Sequence, residues 1–139
     1  MPSQVIAGTV VMGDIDRRTL LSALEALPRR PEQIVIVDIA RMPPALAAEM
    51  RDVDGFVLAG DRVIYLLRQS TTLQAAEYAG GTNTLMLASV IWHEMAHTDG
   101  LDEPAARRRE EELWREFVMS GRVGSSVGMA ALAELRARR

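Results

Sequence analysis

The sequence predicts an α+β domain: a small twisted mixed β-sheet packed against helices, one of which carries a metal-binding motif. Three observations predict it. Apolar, β-branched runs at residues 4–12, 33–39 and 56–67 alternate with helical patterns, the layout of a sheet with helices laid on it. Residues 83–100 are apolar enough to run through a core, yet they hold both histidines of the chain, in the run His93-Glu94-Met95-Ala96-His97. A charged segment of helical periodicity follows at residues 102–117 and can return against that helix.

At 139 residues and 48% hydrophobic composition, the chain is long enough to bury a real core and reads as one domain over residues 1–139. No apolar run approaches the ~20 residues of a membrane span. Residues 5–12 are short and lack a basic lead, so no membrane partner and a cytoplasmic location are expected. Cysteine is absent, which excludes disulfides, thiolate metal sites and cysteine nucleophiles, so any metal must be held by nitrogen and oxygen. The 16 basic residues are all arginine and the net charge is −3, which argues against a nucleic-acid surface and excludes a lysine Schiff base.

In chain order, residues 4–12 read as a strand, and Gly13-Asp14-Ile15-Asp16 supplies a turn and an N-cap. A helix over 17–27 follows, with Leu20, Leu24 and Leu27 about one turn apart, stopped by Pro28 and Pro31. Residues 33–39 are nearly continuously apolar, as in a strand buried on both faces. Met42-Pro43-Pro44 breaks it, and residues 45–50 form a short helix. Residues 56–59 and 62–67 read as a hairpin around Gly60-Asp61. A helix over 69–78 leads through Ala79-Gly80-Gly81-Thr82 to the histidine helix, and a Gly/Ser linker precedes a last helix over 127–138, whose closing arginines suit the negative end of its dipole.

The histidine helix has Asn83 or Thr84 as N-cap and Gly100 as its stop. Met86, Val90, His93 and His97 fall on one stripe, so the two imidazoles stand one turn apart at the end of an apolar face, where both can reach one divalent metal. Glu94 lies beside that face and can take a proton from a metal-activated water.

A catalytic metal of this kind wants a third protein ligand, here an oxygen. Asp99, Asp102, Glu103, Glu110, Glu111, Glu112 and Glu116 are the available acids. Asp102 reads as the N-cap of the next helix, on which Glu103, Ala106, Glu110, Leu113 and Phe117 share the inward face while Glu112 and Glu116 point to solvent. If that helix doubles back, its rise of ~1.5 Å per residue puts Glu103 near the level of His97 and Glu110 past His93. Glu103 is therefore nearer the metal. A longer connection would bring Glu110 or Glu111 to that level instead. Asp99 or Asp102 can instead serve as the acceptor for a histidine ring N–H, fixing its tautomer.

His93-Glu94-Met95-Ala96-His97 is the signature of the zincin metallopeptidases, and the layout of residues 31–120 resembles a minimal bacterial zincin domain. The run from His97 to Glu103 is similar to the HxxGxxH/D arrangement of metzincins and some small bacterial zincins, with glutamate in the third-ligand place. Glu103-Pro104-Ala105-Ala106 also resembles the ExxA element around the glutamate ligand of other zincins. The glutamate and the lack of a clear methionine turn depart from the metzincin pattern. The resemblance implies a zincin-like fold, Zn²⁺ on His93, His97 and Glu103, Glu94 as general base, and hydrolysis of a peptide or protein substrate. It also implies β-augmentation by an edge strand, here residues 62–67. A tyrosine serves the oxyanion in many zincins, but Tyr65 and Tyr78 are both read as packing residues. The alternative is a zincin-like metal-binding module, regulatory or peptide-binding, with little or no catalytic activity.

Overall fold

The computed structural model describes residues 3–137. The first apolar run is a hairpin and not one strand: β1 (Ser3–Ile6) pairs antiparallel with β2 (Thr9–Met12), Val5 opposite Val10. The turn is Ala7-Gly8, both left-handed with φ of 50° and 86°. Two positive φ values match the twist of a two-residue hairpin. Helix α1 (Arg17–Glu25) starts on Asp16, whose carboxylate accepts from Thr19 N at 3.0 Å and Thr19 Oγ1 at 2.7 Å. It ends before Leu27 because Ala26 and Leu27 turn their N–H groups to the Ala23 and Leu24 carbonyls, tightening the last turn.

Strand β3 (Gln33–Val37) lies parallel to both β2 and β5 (Val63–Leu67), and β4 (Gly55–Phe56) pairs antiparallel with β5, giving the order β1-β2-β3-β5-β4. Residues 62–67, expected to offer an open edge, are therefore interior over the positions that β4 covers, and the edge strand on that side of the sheet is β4. Nor is β3 buried on both faces. Ile34 and Ile36, with Ile64 and Leu66 of β5, face the helices and are buried, whereas Val35, Val37, Val63 and Tyr65 look the other way and stay partly exposed. On that outer face Phe56 stacks on Tyr65, ring centroids 4.9 Å apart. Helix α2 (Pro44–Met50) buries none of its residues.

Helix α3 (Thr71–Ala79) is capped by Ser70. Helix α4 (Thr82–Thr98) begins earlier than expected, on Gly81, with no capping side chain; Thr84 is buried. It is the centre of the molecule, touching α1, α3, β4, β5 and α5. Its end is a Schellman turn: Gly100 has φ +85° and Leu101 N–H returns to the Ala96 carbonyl at 3.0 Å. That turn sends α5 (Glu103–Met119), capped by Asp102, back along α4, and α6 (Ser125–Ala137) packs on α5. Arg138, expected to close the last helix, lies outside the described residues. Among those residues the architecture is α+β, a mixed five-stranded sheet and six α-helices, and no helix is long and apolar enough to cross a membrane.

Candidate metal centre

Leu87, Ala88, Ile91 and Met95 bury one side of α4, and the neighbouring stripe of Met86, Val90, His93 and His97 is half-buried. The helical repeat brings the His93 and His97 Nε2 atoms within 3.2 Å of each other. The Schellman turn then delivers the first residue of α5 to the same point: Glu103 Oε1 is 2.7 Å from His93 Nε2, and its Oε2 is 3.2 Å from His97 Nε2.

The far sides of both rings are held. His97 Nδ1 lies 2.9 Å from the Leu101 carbonyl, which can only accept, so that nitrogen carries the proton. His93 Nδ1 donates to Glu110 Oε1. Glu110 is buried, and its other oxygen accepts from Ser89 Oγ at 2.9 Å, which in turn accepts from Trp114 Nε1 at 3.1 Å. With both Nδ1 atoms held, the two Nε2 atoms point at each other, and either a proton on His93 Nε2 shared with Glu103 Oε1 or a cation between the rings satisfies them. Two atoms ~2.0–2.1 Å from a tetrahedral ion stand roughly 3.3 Å apart, so the observed spacing fits a metal ion. His93, Glu94 and His97 offer ligand atoms that all lie within 4.8 Å of one another, and this group can bind one. Burial works against charge on His93, but the Glu110 carboxylate, then Glu103 and Glu94, outweigh it and raise its pKa above the ordinary 6.5.

Glu94 is buried, and burial pushes its pKa up from 4.5 to about 7, against the pull of the His93 and His97 imidazoles. It lies against β4 at a glycine. A Cβ on Gly55 would stand 3.6 Å from Glu94 Cγ and only 2.9 Å from the Tyr65 carbonyl oxygen. Gly55→Ala must therefore move β4 off β5, and with it the backbone beside Glu94. The expected result is a variant that folds with reduced thermal stability and loses whatever activity Glu94 supports, while its metal content stays near that of the unaltered protein; unchanged stability and activity would show that β4 tolerates the methyl.

The other acids weighed as ligands differ in where they point. Glu111, an expected alternative ligand, is turned to α6, with Arg136 at 3.5 Å and Arg115 at 3.8 Å. Glu112 and Glu116 are exposed. Neither Asp99 nor Asp102 holds a histidine. Asp99 gathers Arg29, Arg109 at 2.8 Å and Arg62 at 3.5 Å, and Arg29 and Arg109 also lie over the Trp92 ring. Asp102 caps α5. Glu103 was expected to face the core but is half-exposed, at the mouth of a cleft of about 210 Å³ between α4, α5 and the β4 edge. Sequence reasoning missed Ser89, Trp114 and the part Glu110 plays. The available signal was a pair of one-turn spacings, Ser89 to His93 and Glu110 to Trp114, on two helices already expected to be antiparallel neighbours.

No known protein family model matches the chain, and no curated protein or solved structure matches it. A functional reading therefore rests on the chemistry of these residues.

Proposed function

We propose that the protein is a zinc-dependent metallopeptidase of the zincin type, with Zn²⁺ held by His93, His97 and Glu103 and with Glu94 as general base. The observation that carries this reading is the meeting of two imidazole Nε2 atoms and one carboxylate beside a buried glutamate. A nitrogen-rich set without thiolates suits zinc better than calcium or magnesium, which prefer oxygen alone. Three protein donors also leave room for water or substrate, as a catalytic zinc site requires.

When bound, Zn²⁺ supplies Lewis acidity, polarising the scissile carbonyl and acidifying a water. Glu94 takes a proton from the attacking water as its oxygen bonds to the carbonyl carbon, and passes that proton to the leaving nitrogen as the C–N bond breaks. Burial raises the Glu94 pKa in the metal-free protein, and the charge of a bound Zn²⁺ would favour the ionised form that accepts the water's proton. Glu110 and the Leu101 carbonyl fix the ring tautomers that present Nε2. The outer edge of β4, whose Gly55 lines the cleft with Glu94, gives an extended peptide a backbone to pair with.

Purified protein is expected to carry near-stoichiometric zinc, and to hydrolyse casein in a manner lost with 1,10-phenanthroline and restored by added zinc. Absence of zinc after purification and on titration would sink the proposal. Zinc uptake with no cleavage of casein or of a peptide mixture would favour instead the metal-binding module.

A further inference from the structure

We infer that Arg107 is the oxyanion-binding residue of this site. The inference rests on the peptidase reading. As the water oxygen bonds to the carbonyl carbon, the π pair of the C=O moves onto the carbonyl oxygen, and the resulting negative charge returns to re-form the C=O when the C–N bond breaks. A hydrogen-bond donor or cation aimed at that oxygen stabilises the transition state more than the substrate.

The usual donors are spent or misplaced in this chain. Both histidines are used in the metal group. Tyr65 is on the outer face of the sheet, stacked on Phe56, with its hydroxyl 3.3 Å from Asp61, and Tyr78 is 93% exposed on α3. The Trp114 N–H is buried and donates to Ser89. Arg62 and Arg109 are drawn to Asp99.

The cleft itself is lined by the carboxyl groups of Asp54, Glu94, Glu103 and Glu110, and among the described residues lining it Arg107 is the one whose side chain is always charged positive. Arg107 follows Glu103 by one turn of α5, on the same face, and its Nε is 3.6 Å from Glu103 Oε1, the oxygen that lies 2.7 Å from His93 Nε2. Its side chain is 34% exposed, so it is reachable from the cleft and only partly screened by solvent. A guanidinium carries five N–H donors, so Nε can face Glu103 while others remain for the oxyanion.

The test compares Arg107→Ala and Arg107→Lys with the unaltered protein, all zinc-loaded. The probes are an internally quenched peptide, tested both blocked at both ends and with a free C-terminal carboxylate, and a phosphinic peptide analogue blocked at both ends, and zinc affinity is measured alongside. Arg107→Ala is expected to lower kcat on the order of 10²-fold with little change in KM, the loss typical of one oxyanion donor. The phosphinate affinity should fall in parallel, Arg107→Lys should recover part of both, and zinc affinity should not change. An effect confined to KM, and to peptides with a free C-terminal carboxylate, would overturn the inference in favour of a terminal clamp. Weakened zinc binding in Arg107→Ala would also overturn it, since the residue would then act by holding Glu103. If the unaltered protein takes zinc but cleaves no peptide, the peptidase reading fails alone and the phosphinate decides: an Arg107-dependent affinity supports the anion site, and an Arg107-independent affinity or no binding removes it. If the unaltered protein takes no zinc, both readings fall.

Discussion

Glu94→Gln is expected to lower peptide hydrolysis by about 10³-fold, within the range a positioned general base supplies, while zinc stoichiometry stays unchanged. Gln keeps the shape of the buried side chain but can neither accept the water's proton nor return it. The fold should tolerate the change well. Burial raises the Glu94 pKa from 4.5 to about 7, so the metal-free protein is favoured most below 4.5 and loses that advantage as pH rises through about 7. The Gln variant, which never ionises, avoids that loss. Metal-free Glu94→Gln should therefore be at least as thermostable as the unaltered protein at pH 8, with the gap closing towards pH 4, as scanning calorimetry can measure. A variant that hydrolyses peptides at the unaltered rate would remove Glu94 from the chemistry.

The second large effect separates two glutamates that the chain places on the same helix. Glu110→Ala is expected to weaken zinc binding roughly 10–100-fold, the typical cost of losing a partner behind a metal-bound histidine. It should also destabilise the protein by about 1–3 kcal/mol, because Ser89 and Trp114 are left around a buried gap in their hydrogen-bond chain. Glu103→Ala should weaken zinc binding by more than that and change stability little, since the residue is half-exposed at the start of α5. Competition titration with a chromogenic chelator and thermal unfolding, run on both variants, give the crossed pattern. The reverse pattern, with Glu110→Ala the more damaging to zinc, would make Glu110 the ligand. In the unaltered protein zinc affinity should fall as pH is lowered. The Glu110 carboxylate makes His93 hold its proton above the ordinary 6.5, and that proton competes with the metal.

The helix with the histidines was legible because its signal is redundant: apolar residues on one stripe, both imidazoles one turn apart, and a glycine stop. The proximity of Glu103 to them followed from helix rise only on the assumption of a tight turn and an antiparallel return after Gly100. The N-terminal hairpin was not legible, since its turn uses Ala7 in a conformation that alanine seldom adopts, and Gly8 was the one turn signal between two short β-branched stretches. Residues 33–37 gave no alternation because valine occupies the outer face as isoleucine does the inner one, so composition could not tell a half-covered sheet from a fully covered one. Strand β4 is two residues long, too short for any periodicity, yet it forms the edge against Glu94. The buried chain from His93 through Glu110 to Ser89 and Trp114 depends on how two helices are rotated about their axes, which spacing within one helix constrains only in part.

The Schellman turn at Gly100 has a kinetic consequence. His93, His97 and Glu103 are joined by one helix end and one tight turn, and Glu110 lies only two turns further along α5. Closing so short a loop costs little chain entropy. The sheet is different: Gln33 must find both Val10 and Val63 to set the parallel register. Sequence-local contacts form sooner than distant ones, so the α4–α5 hairpin can order while the parallel strands are still unpaired. Substitutions in that hairpin should then slow refolding, and substitutions in β3 should mainly speed unfolding.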